Sequence, residues 1–273
     1  VKRSRTQSEP PELEASQQDK IDALSARILE LEERVEGLSW RAFYESSTRN
    51  LMTEPGILMQ ARYVASTTSG WLVVLINNTR TSLPSGLKVD FIRTVQGRDY
   101  GTVLEGYLAG SSFDVTTGNL QVSYRRLSDL ALRVKPRPGG PIDVDGEMYD
   151  LQLSISYKEN GQAKTAGPFA AKTDPQNPLP EGDHDLEIAD YPHQSPYGDP
   201  STVWFRIGHS GDRYLHAGRV SAGCITCAPR NWRAIYDIVN CARVDTRTAG
   251  KLNFSQSLAA SKSKAKAERK TKR

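Results

Sequence analysis

From Thr67 onward the hydrophobic pattern falls to a period of two and is interrupted by turn residues every few positions. Trp71 to Ile76, Leu87 to Ile92, Thr102 to Leu108, Leu120 to Tyr124 and Leu130 to Val134 are short segments that are β-branched or alternating. Between them stand Asn77-Asn78, Pro84-Ser85-Gly86, Gln96-Gly97, Ala109-Gly110 and Thr117-Gly118-Asn119. Helices of useful length do not survive such punctuation. Strands at this spacing predict a β-sandwich-like module over 67–140. No cluster of reactive side chains occurs there, so the module reads as an accessory or docking element, or as plain packing.

Lys135-Pro-Arg-Pro-Gly-Gly-Pro141 is a strong breaker and predicts a domain boundary. Beyond it Leu151, Leu153, Ile155 and Tyr157 alternate with Gln152, Ser154 and Ser156, a half-buried strand closed by a turn at Glu159-Asn160-Gly161-Gln162. Residues 165–200 are rich in Pro, Gly, Asp and His, so loops dominate, with a short strand at Asp185 to Ile188. Val203 to Ile207 reads as another strand. Asn231 to Asn240 reads as a helix with Trp232, Ile235, Tyr236 and Val239 on one face. The expectation is a mainly β domain with α over 146–250.

Upstream, residues 1–18 are rich in Ser, Gln, Glu and Pro and read as a flexible leader. A helix over 19–50 follows, with Ile21, Ile28 and Val35 at a positions and Leu24, Leu31 and Leu38 at d positions. β-branched a residues with Leu at d suit a parallel two-stranded coiled coil, hence a homodimer through residues 21–38. A single amphipathic helix packed on its own domain fits the same spacing. Residues 251–273 read as a basic tail.

Charge narrows the function classes. Ser261 to Arg273 carry seven Lys or Arg and one Glu, so the formal net charge of +4 belongs to the tail and the body is slightly acidic. The chain therefore does not read as a nucleic-acid-binding fold. No run approaches the roughly 18 apolar residues of a membrane span, and residues 1–20 hold no stretch of signal-peptide type. Three cysteines, Cys224, Cys227 and Cys241, are too few for a disulfide framework.

Chemistry concentrates in Arg213-Tyr-Leu-His-Ala-Gly-Arg-Val-Ser-Ala-Gly-Cys-Ile-Thr-Cys227. His216 ends a predicted strand, and a Ser-x-Gly-Cys turn from Ser221 to Cys224 precedes the helix. A thiol attacks a carbonyl as thiolate, so it needs a proton acceptor or a positive field beside it. His216 can serve as that base, with Arg213 or Arg219 adding positive potential. Gly223 permits close backbone approach, leaving the Gly223 and Cys224 amides to face an oxyanion. Two other readings stay open on spacing alone: cysteines buried as small hydrophobes, or zinc held by Cys224, Cys227, His216 and Cys241.

Over about Leu151 to Val244 the sequence resembles the catalytic domain of the L,D-transpeptidase family, cysteine enzymes of bacterial cell-wall cross-linking. Pro180-Glu-Gly-Asp-His-Asp-Leu-Glu-Ile188 matches the family's Pro-x-Gly turn and strand. Leu215-His216-Ala217-Gly218 matches its base motif, and Ser221-Ala-Gly-Cys-Ile225 its nucleophile motif. The family usually has His directly before Gly-Cys and Arg two after the cysteine, where this chain has Ala222 and Thr226. The shorter His-to-Cys interval is similar to a compact branch that includes effectors injected into rival bacteria.

The resemblance implies an L,D-transpeptidase-like β domain and a thiol-dependent L,D-transpeptidase or L,D-carboxypeptidase acting on peptidoglycan stem peptides. It implies Cys224 as nucleophile, His216 as base and the Ala217 carbonyl as the group that orients the imidazole. Ser221 and Gly223 complete the nucleophile turn. Arg219, Arg213 and Trp204 are expected to meet substrate, and Tyr214 to line the cleft or pack in the core. No cofactor or metal is expected. His209 is the reserve base, while His184 and His193 read as loop residues. Cys227 and Cys241 either pair in an oxidising compartment or pack as thiols. The periplasm, the cell envelope or secretion as an effector is the implied location. The competing readings are a catalytically degenerate wall-binding protein and a structural, phage or secretion-system interaction protein.

Overall fold

A computed structural model describes residues 60–256. The expected leader and coiled-coil helix lie outside the described residues, as does the run from residue 257 onward. Seven strands build a first sheet: β1 (Gln60–Val64), β2 (Trp71–Ile76), β3 (Thr79–Pro84), β4 (Lys88–Val95), β5 (Arg98–Val103), β6 (Ser112–Thr116) and β7 (Leu120–Gln121), in the order β3-β2-β6-β5-β4-β1-β7. Every neighbouring pair is antiparallel. The β2–β3 turn uses Asn77 and Asn78 at φ of 50° and 60°, and the β4–β5 turn uses Gln96 and Gly97 at 50° and 76°. Two-residue turns with left-handed φ match the twist of the strands they join, which is why Asn and Gly stand there.

The second sheet contains β8 (Ser128–Pro136), β11 (Leu151–Glu159), β12 (Gln162–Lys172), β13 (Gly182–Glu187), β14 (Phe205–Arg206), β15 (Tyr214–Ala217), β16 (Ile225–Cys227) and β17 (Thr248–Phe254). Their order is β13-β17-β8-β11-β12-β16-β15-β14. A bridge between Leu186 and Ile207, with the Gly208 amide donating 2.8 Å to the Asp185 carbonyl, brings the two ends together. The sheet is thus nearly closed on itself. A small hairpin of β9 (Ile142–Val144) and β10 (Glu147–Tyr149) stands apart from both sheets. One helix occurs among the described residues, α1 (Pro229–Val239), with Pro229 in its first turn and Trp232, Ile235, Tyr236 and Val239 buried. The described chain is therefore mainly β with one helix.

Two boundaries differ from the sequence expectation. β8 ends at the predicted break, at Lys135 and Pro136, yet lies inside the second sheet, between β17 and β11, and so belongs with the strands after the break. Its alternating Leu130, Leu132 and Val134 are all buried, and a strand with two neighbours satisfies its backbone on both sides. Lys251 to Phe254, read as tail, belong to β17 in the same sheet. The first seven strands form a single sheet rather than a self-contained sandwich. Their core residues Val64, Leu83, Val89 and Val103 merge with Leu132, Leu153, Leu215 and Leu252 of the second sheet in one cluster.

Polar ties also cross between the sheets. Trp71 Nε1 donates to Thr202 Oγ1 at 3.2 Å, and Asn240 Nδ2 donates to the Ser85 carbonyl at 2.9 Å. Glu105, only 8% exposed, accepts from Arg126 at 3.2 Å and from Arg243 at 3.0 Å. Burial lowers the Arg243 pKa, and the Glu105 carboxylate opposes that effect. A buried charge of this kind is tolerable only while its partner stays. Among the described residues no helix is long and apolar enough to cross a membrane.

Candidate active site

β15 and β16 run parallel side by side, with Leu215 opposite Ile225, His216 opposite Thr226 and Ala217 opposite Cys227. Gly218 to Cys224 join them, far fewer than the dozen or so residues that a parallel connection usually takes. The chain must therefore turn back sharply. Gly223 makes the turn at a φ of 101°. A Cβ there would stand 2.8 Å from the Asn177 carbonyl oxygen and 2.9 Å from Arg213 Nη1. Arg213 clamps the loop: Nη1 donates to the Gly223 carbonyl and Nη2 to Asn177 Oδ1, each at 2.8 Å. Ser221 Oγ donates to the Cys224 carbonyl at 2.8 Å.

Alternation decides which side chains meet. Leu215, Ala217, Ile225 and Cys227 belong to the core, so Tyr214, His216 and Thr226 face the other way. Cys224 stands one residue before β16, and its Sγ contacts the Tyr214 amide and the Asp212 carbonyl; among the described residues no hydrogen bond joins it to His216. A would-be Cβ on Gly218 would lie 2.9 Å from Thr226 Cγ2 and 3.3 Å from His216 Cε1. The missing side chain at 218 leaves room for both.

His216 Nδ1 lies 2.9 Å from the Ala217 carbonyl oxygen. A carbonyl only accepts, so Nδ1 carries the proton and Nε2 of the neutral ring is bare. Thr226 Oγ1 lies 3.1 Å from that Nε2 and 3.3 Å from the Val220 carbonyl oxygen. Burial lowers the His216 pKa to about 4, with a smaller push from His193. Cys224 Sγ accepts the Tyr214 amide at 3.4 Å and sits 3.8 Å from the Asp212 carbonyl. Burial raises the thiol pKa, while the Tyr214 amide and the Arg213 charge pull it back. Both groups rest neutral, the imidazole on Thr226 and the thiol on the Tyr214 amide, so a proton passes between them only if the ring acts as general base during the reaction rather than in a standing ion pair.

Aromatic rings wall the histidine. Trp204 stacks on His216 with centroids 4.2 Å apart, and on His193, also at 4.2 Å. His193 stacks in turn on Tyr191 at 4.4 Å, and its Nε2 lies 3.5 Å from Asp190 Oδ1. Asp190 Oδ2 accepts from Arg206 at 2.7 Å. Tyr149, fully buried, donates its hydroxyl to the Gly218 carbonyl at 2.8 Å. Lys172 sits in register with Thr226 across β12–β16, and its Nζ donates to Glu147 at 2.5 Å.

The remaining sequence candidates distribute as follows. Arg213 spends its guanidinium on the loop, whereas Arg219 is exposed, and its charge helps hold the Glu147 carboxyl below its ordinary value behind the larger effect of Lys172. His209 has both ring nitrogens on carboxylates, Glu187 at 2.7 Å and Asp185 at 2.8 Å, and these raise its pKa. That commits it to an ion cluster on β13. His184 Nε2 meets the Pro180 carbonyl at 2.8 Å. The four residues of the zinc reading do not converge: Cys227 and Cys241 belong to the core cluster, Cys224 Sγ meets the Tyr214 amide, and His216 meets Ala217 and Thr226. All three cysteines are free thiols, and among the described residues no cluster of His, Cys, Asp or Glu could hold a metal ion.

Two surface concavities, of about 470 and 410 Å³, lie at Asp185–Lys251 and at Tyr124–Cys241, away from Cys224. Thr226, His193, Asp190 and Lys172 were not legible as neighbours of the pair. Comparison with family models, with curated proteins and with solved structures gives no match for this chain.

Proposed function

We propose that this chain is a thiol-dependent L,D-transpeptidase or L,D-carboxypeptidase acting on peptidoglycan stem peptides in the periplasm or cell envelope, or as a secreted effector. The observation that supports it is the parallel pairing of β15 with β16, which brings the turn ending in Cys224 beside the strand of His216, with Nδ1 pinned to the Ala217 carbonyl. That bond fixes the tautomer whose Nε2 can take a proton. In the proposed cycle Nε2 removes the thiol proton, and the thiolate attacks the carbonyl between the L- and D-centres of a stem tetrapeptide. The oxyanion accepts from the Gly223 and Cys224 amides. Collapse breaks the amide bond, the imidazolium returns its proton to the departing D-alanine amine, and a thioester remains on Cys224. An amine then yields a cross-link, or water a trimmed peptide. Arg219 is free to meet a substrate carboxylate, and Trp204 holds the imidazole plane.

The Cys224→Ala variant tests this. Wild-type protein should gain the mass of the tetrapeptide fragment less D-alanine when mixed with such fragments, and the variant should gain none. Equal turnover by both would end the proposal. A non-catalytic wall-binding role is favoured by one observation, the Thr226 hydroxyl standing on Nε2 where the thiol proton must go. Wild-type protein that binds muropeptides but never forms an adduct would select that role.

A further inference from the structure

We propose that Thr226 is the positioning residue that lets His216 hold either protonation state, by turning its hydroxyl between His216 Nε2 and the Val220 carbonyl. This inference rests on the Cys224–His216 reading above and adds a residue that the family motif does not supply. One hydroxyl has one proton and two acceptors within reach, at 3.1 Å and 3.3 Å. With the ring neutral, Nδ1–H goes to Ala217 and Nε2 has a bare lone pair, so Thr226 donates to Nε2. With the ring protonated, Nε2–H becomes a donor, and the same Oγ1 accepts it once the hydroxyl proton has swung to Val220. Both states are then fully bonded in a buried site.

The step balances without any co-reactant. The Cys224 S–H bond breaks, the electron pair stays on sulfur, and a new N–H bond forms at Nε2. The Thr226 O–H bond only rotates. Without Oγ1 the new Nε2–H would have only the sulfur to receive it, and once the thiolate attacks the carbonyl that buried donor is unmet, which is costly, more so on a charged ring. Valine removes the hydroxyl at nearly the same volume, and serine keeps it. The ionisable groups around this ring are His193 beyond Trp204, Tyr214 on the same strand face, Lys172 beside Thr226, and Cys224 just before the neighbouring strand. None of them is altered by either substitution.

The experiment follows two readouts in the whole chain: the alkylation rate of Cys224 by iodoacetamide across pH, located by peptide mass, and the titration of the His216 ring by NMR. Thr226→Val should slow Cys224 alkylation near neutral pH by tenfold or more and move the His216 midpoint downward. Thr226→Ser should restore both to within about twofold of wild type. Alkylation by Thr226→Val as fast as wild type, or an unmoved His216 midpoint, overturns the proposal. Failure of serine to rescue does so too, because it would mean that only packing was lost. Neither readout uses a muropeptide, so an inactive enzyme with an intact Thr226 effect refutes the catalytic reading and leaves this one standing.

Discussion

Burial of His216 should make folding stability depend on pH in a direction that can be isolated. The ring is 6% exposed and walled by Trp204. Its pKa falls from an ordinary 6.5 to about 4, chiefly because burial penalises the imidazolium. In the unfolded chain the ring takes a proton near pH 6.5, but in the folded chain it does not until about pH 4. Between those values the unfolded state binds more protons, so stability drops as pH falls and levels off below the folded pKa. The full fall in pKa is worth about 3 kcal/mol, and about 2 to 2.5 kcal/mol of it is expressed between pH 7 and pH 4.5. The perturbation is His216→Asn, compared with wild type by urea unfolding at both pH values. Carboxylates such as Asp185 and Glu159 add their own acid sensitivity to both proteins, and the difference between the two cancels it. The variant should lose about 2 kcal/mol less than wild type on acidification. Parallel losses, within about 0.5 kcal/mol, would refute the claim that the ring is held neutral by burial.

Two structural predictions accompany this one. Glu105→Gln leaves Arg243 buried with its main partner weakened, so unfolding free energy should fall by about 3 to 5 kcal/mol, read from the urea midpoint; a change under about 1 kcal/mol would show that the ion cluster does not join the sheets. Gly223→Ala places a Cβ against the Asn177 carbonyl at a left-handed φ. It should therefore accelerate backbone amide exchange across Gly218 to Cys224 and disturb Cys224 alkylation while leaving exchange in β11 unchanged.

Much of the local structure was written in short stretches of sequence. Asn77-Asn78 and Gln96-Gly97 sit in left-handed turns as their residue types require. Leu151, Leu153 and Ile155 are buried in alternation, and the apolar side of the helix is the one that packs. The pattern also placed His216 in a strand and Cys224 in a turn, while the short strand Ile225–Cys227 between that turn and the helix was not expected. The strand expected at Thr102 to Leu108 lies instead at Arg98–Val103, directly after its turn, and Leu120 to Tyr124 shrinks to two residues. Edges of elements depend on which neighbour completes the ladder, and the sequence does not name the neighbour.

Tertiary structure decided the rest. β8 pairs with β11, adjacent but for a hairpin, and also with β17, more than a hundred residues away, so no local signal could place it in the second sheet. The site has the same origin. Cys224 and His216 were visible as residue types, but the row His216–Thr226–Lys172 depends on the registers β15–β16 and β12–β16, and the Trp204–His193 wall on a loop folding back over the face. Turn and alternation preferences act within a few residues and are carried by the side chains themselves. Register and ring stacking are set by which distant strands bury their apolar faces together, a property of the whole sheet rather than of any segment.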